Sequence, residues 1–295
     1  MFRRAAATFA LVAWLQLPAV PEASDLTLET PNLVVSDATG KLSNEQLEGL
    51  ANQARTTSES ILAFWSADPG IDRFGKIRVL FDVPRRDVYS SVFYWDKKDG
   101  QRIRVVRVFG TDGSPQMMAH KLTSAILPNQ DKLIRNMMGI VTEAQVGNPS
   151  TFPMCGFAAD DWVLALLKTP SYIPLSALGP DHESWGMKDH GGGRLSIHDQ
   201  AKQHRAYAEA GSFGAYLFTT YGISKIKRFH RLSHEKDRPW QDVFGIGLEE
   251  LEAHWINALS TSQRAGGGNV PIVSKLLATN AGTACAEAQK LSGKK

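Results

Sequence analysis

The chain has 295 residues, of which 43% are hydrophobic and 21% are charged. This composition excludes a wholly disordered chain, because it can fill the core of one large domain or two small ones. The formal net charge is only +3 and the basic residues are scattered, apart from a modest stripe at Arg102, Arg104 and Arg107. The charge pattern therefore gives little support to nucleic-acid binding, and we expect no nucleic-acid partner.

The N-terminal segment has the pattern of a secretory signal peptide. Arg3 and Arg4 precede an apolar run over residues 5–17, and small residues follow near position 24. The run is shorter than the roughly 20 residues that a membrane-spanning helix needs. We therefore expect residues 1–24 to be a signal peptide, the protein to be periplasmic or secreted, and the mature chain to have no membrane span.

The residue pattern of the first 112 positions predicts a strand, a helix and two further strands, in this order. The predicted elements are a strand at 33–35, a helix at 43–65, and strands at 76–83 and 102–110. Ser43 and Gln46 have the spacing of a capping box, which opens the helix. Asp99 and Gly100 predict a turn before the last strand, because both residue types favour turns.

From residue 114 onward the hydrophobic spacing is mostly helical. Ser114 can cap the first helix, Pro115 suits its first turn, and Pro128 ends it. Further helices are predicted at 131–145, 160–168, 200–222, 224–234 and 247–259. The segment from 170 to 198 is rich in Gly, Pro, Asp and His, which indicates a long surface loop. Residues 261–295 have the composition of a mobile tail with room for one short helix.

Cys155 and Cys285 are the two cysteines of the chain. In an oxidising compartment such a pair most often forms a disulfide, which we expect here. The bond would fix the C-terminal tail to the domain and stabilise the fold by about 2–4 kcal/mol. Two separate buried thiols are the alternative.

Three segments of the helical half resemble the peptidase MA-like (gluzincin) domain family of secreted zinc peptidases. They read YAEAGSFGAYLFTTYG (207–222), SKIKRFHRL (224–232) and DVFGIGLEELEAHWINAL (242–259). The resemblance covers roughly residues 30–260. It implies an α+β, zincin-like fold at 25–260, with a small N-terminal mixed β-sheet and helices over about 25–112. A C-terminal helical bundle over about 113–260 would follow, with 261–295 as the tail.

The resemblance also implies where a zinc site would lie. In the family, an HExxH helix supplies two histidine ligands four residues apart and a general-base glutamate between them. Here the corresponding residues read HKLTS. His120 matches the first histidine, Lys121 occupies the general-base position and Ser124 occupies the second-histidine position, so the motif is degenerate.

The third zinc ligand of the family comes from the following helix. Aligning residues 140–146 with the family motif places Glu143 in the ligand position, whereas anchoring on Gly139 places Met138 there. We prefer Glu143, because Thr142 then matches as well. His120 and Glu143 are thus the candidate vestigial metal ligands.

This set of side chains predicts a protein without an intact catalytic centre and without a cofactor. One imidazole and one carboxylate are fewer protein ligands than the three of a catalytic zinc site. The Lys121 ammonium opposes a dication and cannot accept a proton. Two interpretations of Lys121 remain open: it pairs with Glu143 in the place of the metal, or it lies on a solvated face while Ser124 bonds back to its own helix.

The expected function is binding of a peptide or protein partner. The cleft between the sheet edge and the helix at 117–126 could hold an extended chain by strand addition, which needs no metal. One alternative is an active Zn²⁺-dependent peptidase with a non-standard site, in which a histidine of the segment 181–199 joins His120 and Glu143. A second alternative is a structural subunit of an envelope assembly. The pair His230 and His234 is predicted to lie on an exposed helix face.

Overall fold

The computed structural model describes residues 27–83, 91–110, 117–262, 267–280 and 283–292. The predicted signal peptide lies outside the described residues, as do Ser114 and Pro115. The described chain is a mixed α+β protein with a mixed sheet at its N-terminal end, as predicted, and helices dominate from Met118 onward.

The described strands of the N-terminal half form one five-stranded mixed sheet. They are β1 (Thr27–Glu29), β2 (Leu33–Asp37), β3 (Ile77–Asp82), β4 (Ser91–Lys98) and β5 (Gln101–Phe109). Their spatial order is β1-β2-β3-β5-β4. The three inner strands are parallel, and β1 and β4 pair antiparallel at the two edges. The predicted strands at 33–35, 76–83 and 102–110 are therefore confirmed.

The sequence prediction missed both edge strands. β4 has no sustained alternation of polar and apolar residues, and its last three residues are exposed, so it lacks the period of two that marks a half-buried strand. It forms a hairpin with β5 through Asp99 and Gly100, which confirms the predicted turn. β4 is therefore an edge strand of the sheet, and it lies beside the helical half of the chain.

The helices of the described chain are α1 (Asn44–Trp65), α2 (Ile71–Phe74), α3 (Met118–Ile126), α4 (Lys132–Val146), α5 (Ala159–Leu166), α6 (Gln200–Leu232), α7 (Trp240–Phe244), α8 (Leu248–Thr261), α9 (Val270–Asn280) and α10 (Ala284–Ser292). The capping box of α1 is confirmed, with the Ser43 side chain accepting from Gln46 N at 3.2 Å and the Gln46 side chain accepting from Ser43 N at 2.9 Å. α3 begins at Met118, later than predicted. The two helices predicted at 200–234 are one element with a kink at Gly222, where φ is 78°.

The segment between α5 and α6 is not the surface loop that its composition predicts. It contains two 3₁₀ turns and a small hairpin of β6 (Met187–Asp189) and β7 (Leu195–Ile197). Leu175, Leu178, Trp185 and Met187 are fully buried. The prediction was wrong because four apolar anchors, spread thinly among turn residues, are enough to fix the segment to the core.

The described parts of the C-terminal tail form two packed helices, whereas the sequence predicted one short helix at most. α9 packs against α5, and α10 packs against α9. Val270, Val273, Ala284 and Ala288 are buried in these contacts. The predicted disulfide between Cys155 and Cys285 is confirmed, and it joins α10 to the segment between α4 and α5.

The basic stripe of β5 is not a continuous basic surface. Arg104 is fully buried, and its guanidinium donates to the carbonyls of Pro69, Ala125 and Gly75. Arg107 forms an ion pair with Asp82 at 2.6 Å. Arg104 thus ties the C-terminal end of α3 to β5 and to the α2 segment. A search of the described residues finds no helix with the length and apolarity that crossing a membrane requires.

Close packing of α3, α4 and α6 depends on glycines at their contacts. A Cβ built on Gly139 of α4 would lie 2.7 Å from His120 Nε2, and one built on Gly214 of α6 would lie 2.9 Å from the Met137 carbonyl. A Cβ built on Gly211 of α6 would lie similarly close to the Ile140 side chain. Gly211 thus allows α6 to approach α4 closely.

We expect Gly139→Ala to lower the free energy of unfolding by about 2 kcal/mol, because the added methyl overlaps a fully buried imidazole. Gly49→Ala is the matched control: Gly49 is exposed in α1, and its Cβ would meet no atom within 4 Å. That substitution should stabilise the protein by about 0.5–1 kcal/mol through helix propensity. Urea unfolding measures both, and equal effects would contradict the close contact.

Candidate functional site

The degenerate motif lies at the contact between α3 and α4. His120, Lys121 and Ser124 come from α3, and Asn136 and Glu143 come from α4; all five are buried. α3 is buried along its whole length, because the sheet, α1 and α4 cover it. The interpretation of Lys121 as a solvated residue is therefore wrong, since only 7% of it is exposed.

The Lys121 amine lies beside the imidazole of His120. Lys121 Nζ is 3.4 Å from His120 Nε2, and Asn136 Oδ1 is 3.0 Å from the same nitrogen. Burial, and then the charge of Lys121, hold the pKa of His120 well below its usual value, so the imidazole is neutral at pH 7. Burial lowers the pKa of Lys121 to about 7. The Lys121 amine is thus strongly desolvated, which its amino-acid sequence context does not show.

Ser124 forms a hydrogen bond to its own helix, as one of the two interpretations of Lys121 predicted for it. Its hydroxyl donates to the His120 carbonyl four residues back at 3.1 Å, a common arrangement for serine inside a helix. Thr123 makes the same kind of bond to the Ala119 carbonyl. At the position of the second histidine there is accordingly a short side chain whose hydroxyl is engaged by its own helix.

Glu143 caps the N-terminus of α3 from the neighbouring helix. Met117, at the N-cap position, has a left-handed backbone and supplies no side-chain cap. Glu143 Oε2 instead accepts from His120 N at 2.7 Å, and Oε1 accepts from Asn148 N at 2.9 Å. Burial raises the pKa of Glu143, while these backbone bonds and the charge of Lys121 lower it. The predicted pairing of Lys121 with Glu143 is thus an electrostatic attraction that accompanies a capping role.

Met138, the alternative for the third-ligand position, lies elsewhere. Its side chain faces a separate groove of about 400 Å³ that Trp65, Leu127 and Arg231 also line. The Glu143 carboxylate, by contrast, contacts the backbone of His120 directly. Of the two residues that the sequence alignment left open, the structure brings Glu143 next to the degenerate motif.

The donors at this position do not fit a zinc ion. The accessible nitrogen of His120 faces an amine and an amide, and both oxygens of Glu143 accept backbone N–H bonds. A dication here would meet a competing amine and would need an oxygen that is already used in capping. We therefore derive no chemistry through a metal at this position, and the zinc content of the protein stays a matter for measurement.

Sequence reasoning missed the basic residues that α4 adds to the site. Lys132 and Arg135 line the same small cavity as Lys121. Lys132 is 2% exposed, and its Nζ donates to Tyr207 Oη at 3.1 Å. Burial, then repulsion by Arg135 and Lys121, hold the pKa of Lys132 well below its usual value. An amphipathic helix normally exposes its basic residues, so their burial could not be predicted from the amino-acid sequence.

Tyr207 of α6 and His182 complete the wall of the cavity. The Lys132 and Lys121 ammonium nitrogens lie 4.9 Å and 5.6 Å from the centre of the Tyr207 ring, a distance at which an aromatic face attracts a cation. Burial, followed by the charges of Lys132 and Arg135, lowers the pKa of His182 to about 3. His182 is the described histidine of the segment 181–199 that lines this cavity, and a ligand role for it stays a prediction.

His204 lies beside the disulfide between Cys155 and Cys285. The potential ligand atoms of Cys155, His204 and Cys285 are within 4.8 Å of one another, the one such group among the described residues. Both sulfurs are bonded to each other, so neither is a thiolate that could bind a metal. His204 approaches Cys155 from a distant part of the sequence.

The pair His230 and His234 also differs from its prediction. Their rings are 4.9 Å apart, but His230 is buried, so the helix face is only partly exposed. Burial and the charge of His234 lower the pKa of His230 to about 4. No metal-binding group that includes this pair exists among the residues that the structure describes.

We expect Glu143→Ala to lower the free energy of unfolding by about 2 kcal/mol, because it leaves the buried N–H of His120 without an acceptor and removes the acceptor of the Asn148 N–H. Glu48→Ala, on the exposed face of α1, is the matched control and should change stability by less than about 0.5 kcal/mol. Chemical denaturation measures both. Equal stability of the two variants would contradict the capping role.

The stability of the protein should fall as the pH falls from 6.5 to 4, in part through His204. Burial lowers the pKa of His204 to about 4, so below pH 6.5 the unfolded chain binds a proton that the folded chain does not. His204 should account for about 2 kcal/mol of the loss between pH 7 and pH 5. His204→Gln should flatten the pH profile by this amount, whereas exposed His254→Gln should leave it unchanged. An identical profile for all three proteins would refute the assignment.

Comparison with known proteins adds no relative to this description. No family model, no curated protein and no solved structure matches the chain. The resemblance to peptidase MA-like domains therefore rests on sequence motifs alone. What the site can do follows from its own side chains, which are a neutral histidine, a buried carboxylate that caps α3 and a group of buried basic residues.

Proposed function

We propose that this chain is a periplasmic or secreted binding protein with a zincin-like fold, a degenerate relative of zinc peptidases that holds an extended segment of a peptide or protein partner. The proposal combines the motif resemblance with the chemistry of the α3–α4 contact. The protein acts by binding, not by hydrolysis.

The observation that carries the proposal is the amine of Lys121, 3.4 Å from His120 Nε2. A lysine at this distance competes with a dication for the region in front of the imidazole. Ser124 supplies no second imidazole, and Glu143 is engaged in capping. Each group that zinc hydrolysis would need at this position is thus absent or committed to another contact.

The edge of the sheet supports binding of an extended chain. β4 pairs on one side only among the described strands, with β5. Its first residues, Ser91, Val92 and Phe93, line the same cavity as Lys121 and Ser124. An unpaired strand edge offers backbone N–H and C=O groups that a partner strand can match, and the neighbouring cavity can select one group of that partner.

A second candidate function is a structural subunit of an envelope assembly, and the small cavity favours it. The cavity beside His120 has a volume of about 20 Å³, which holds about one or two water-sized groups and no large side chain. A structural subunit would have a groove largely filled by its own side chains. Such a protein would not bind free peptides, so binding measurements separate the two candidates.

Metal analysis tests the non-catalytic part of the proposal. After equilibration with zinc and dialysis, the wild-type protein should retain no more zinc than His120→Ala, because Asn136 and Lys121 already contact the Nε2 atom of His120. Neither protein should hydrolyse peptides. Near-stoichiometric zinc that His120→Ala loses, or chelator-sensitive hydrolysis, would refute the proposal.

Peptide binding tests the other part. A synthetic library of hexapeptides should yield binders whose affinity falls when their backbone amides are N-methylated, because strand addition uses those N–H groups. Fluorescence anisotropy measures the affinities of the selected peptides. Absence of any binder, together with co-purification of a fixed partner, would favour the structural subunit instead.

A further inference from the structure

The cavity beside His120 is lined by basic and neutral polar groups. Its basic side chains are Lys121, Lys132 and Arg135, and no Asp or Glu is among the described residues that line it. Lys121 and Lys132 are nine-tenths or more buried. Like charges gathered in a small buried volume repel one another and lose hydration, which favours loss of a proton from the two lysines, and an anion that entered the cavity would stabilise their charged forms.

The two basic residues from α4 contact neutral oxygen atoms and no carboxylate of a described residue. Lys132 donates to the neutral Tyr207 hydroxyl, and Arg135 donates to the Asn129 carbonyl at 2.9 Å. Neither forms an ion pair within 4.0 Å among the described residues. Attraction that favours the protonated forms acts at longer range, from Asp189 and Asp181 on Lys132, and from Tyr207, Asp131 and Asp189 on Arg135.

A buried amide points to the same conclusion independently. Asn136 is 1% exposed and lines the cavity, and its Nδ2 is buried without a hydrogen-bond partner. Its Oδ1 is fixed by His120. A buried N–H donor without an acceptor is costly, and such a group commonly marks a place where a ligand supplies the acceptor.

On these grounds we infer that the cavity is a carboxylate-binding site that receives the C-terminal carboxylate of an extended peptide through Arg135, Lys132 and Asn136. The inference rests on the proposed function, since it names the group of the partner that the cavity selects. It concerns binding only, and no covalent step is involved.

The shape of the cavity favours a carboxylate at a chain end. A planar carboxylate has two oxygens and matches the fork of a guanidinium, whereas a phosphate needs room for four oxygens. The volume of about 20 Å³ suits the smaller group. The cavity lies beside the first three residues of β4 and not beside the rest of the strand. A segment paired with this edge would therefore reach the cavity with one end.

Paired peptides test the inference. Each hexapeptide selected for binding is compared as the free acid and as the C-terminal amide, and the free acid should bind at least about 10-fold more tightly, as expected for a charge-assisted contact. A third form, amidated but with a C-terminal Asp, separates a terminal carboxylate from a side-chain one. Equal affinities of free acid and amide would overturn the inference while leaving the peptide-binding proposal intact.

Acetate provides a probe that needs no peptide. Sodium acetate should raise the melting temperature of the wild-type protein above its value in sodium chloride of equal ionic strength, because the anion compensates the buried basic groups. Lys132→Met and Arg135→Met should lose this extra shift. Lys168→Met removes an exposed lysine of equal charge and should retain it.

The paired peptides and the acetate titration together distinguish failure of the carboxylate site from failure of the proposed function. An acetate shift that persists undiminished in Arg135→Met, or no shift beyond that of chloride, would overturn the carboxylate site. An acetate shift without any peptide binder would retain the site and contradict the proposed function. If either Met variant folds poorly, the wild-type acetate titration and the paired peptides still decide the inference.

Discussion

The burial of the Lys121 amine beside the neutral imidazole of His120 is the interaction on which the site depends. At 3.4 Å from Nε2, the amine lies in the region that a metal would occupy if the motif were intact. Full burial lowers the pKa of Lys121 to about 7 and that of His120 well below 6.5, so desolvation sets the electrostatics of both groups. The charged side chains among the described residues that line the cavity next to them are basic, which is the basis for proposing an anionic ligand there.

This arrangement is possible because α3 and α4 approach each other closely. Gly139 leaves room for the His120 ring, and Glu143 supplies the cap that the N-terminus of α3 lacks. Glu143, which the sequence alignment placed in a zinc-ligand position, thus stabilises the fold by accepting hydrogen bonds from backbone N–H groups. Capping of this kind, by a side chain from a neighbouring helix, keeps α3 in a position where its polar residues face α4.

The sequence predicted the features with a local cause and missed those that depend on tertiary packing. The capping box of α1, the strands with apolar alternation and the pairing of Cys155 with Cys285 were all predicted, because spacing or parity encodes them. The burial of Lys132 was not, since a lysine on an amphipathic helix is normally exposed. The packed tail escaped prediction for a similar reason: its small apolar residues gain their partners only from distant helices. His120, Lys121 and Glu143 were predicted to meet, but whether they carry any function stays a prediction.

Direct titration of the lysine side chains tests the central claim most clearly. Nuclear magnetic resonance of the lysine Nζ and Cε atoms, assigned with a Lys121→Met variant, gives the pKa of Lys121 in the folded protein. The account predicts a value near 7, far below that of an exposed lysine. A Lys121 signal that titrates near 10.5 would show an amine in contact with water, and the electrostatic basis of the site would then be wrong.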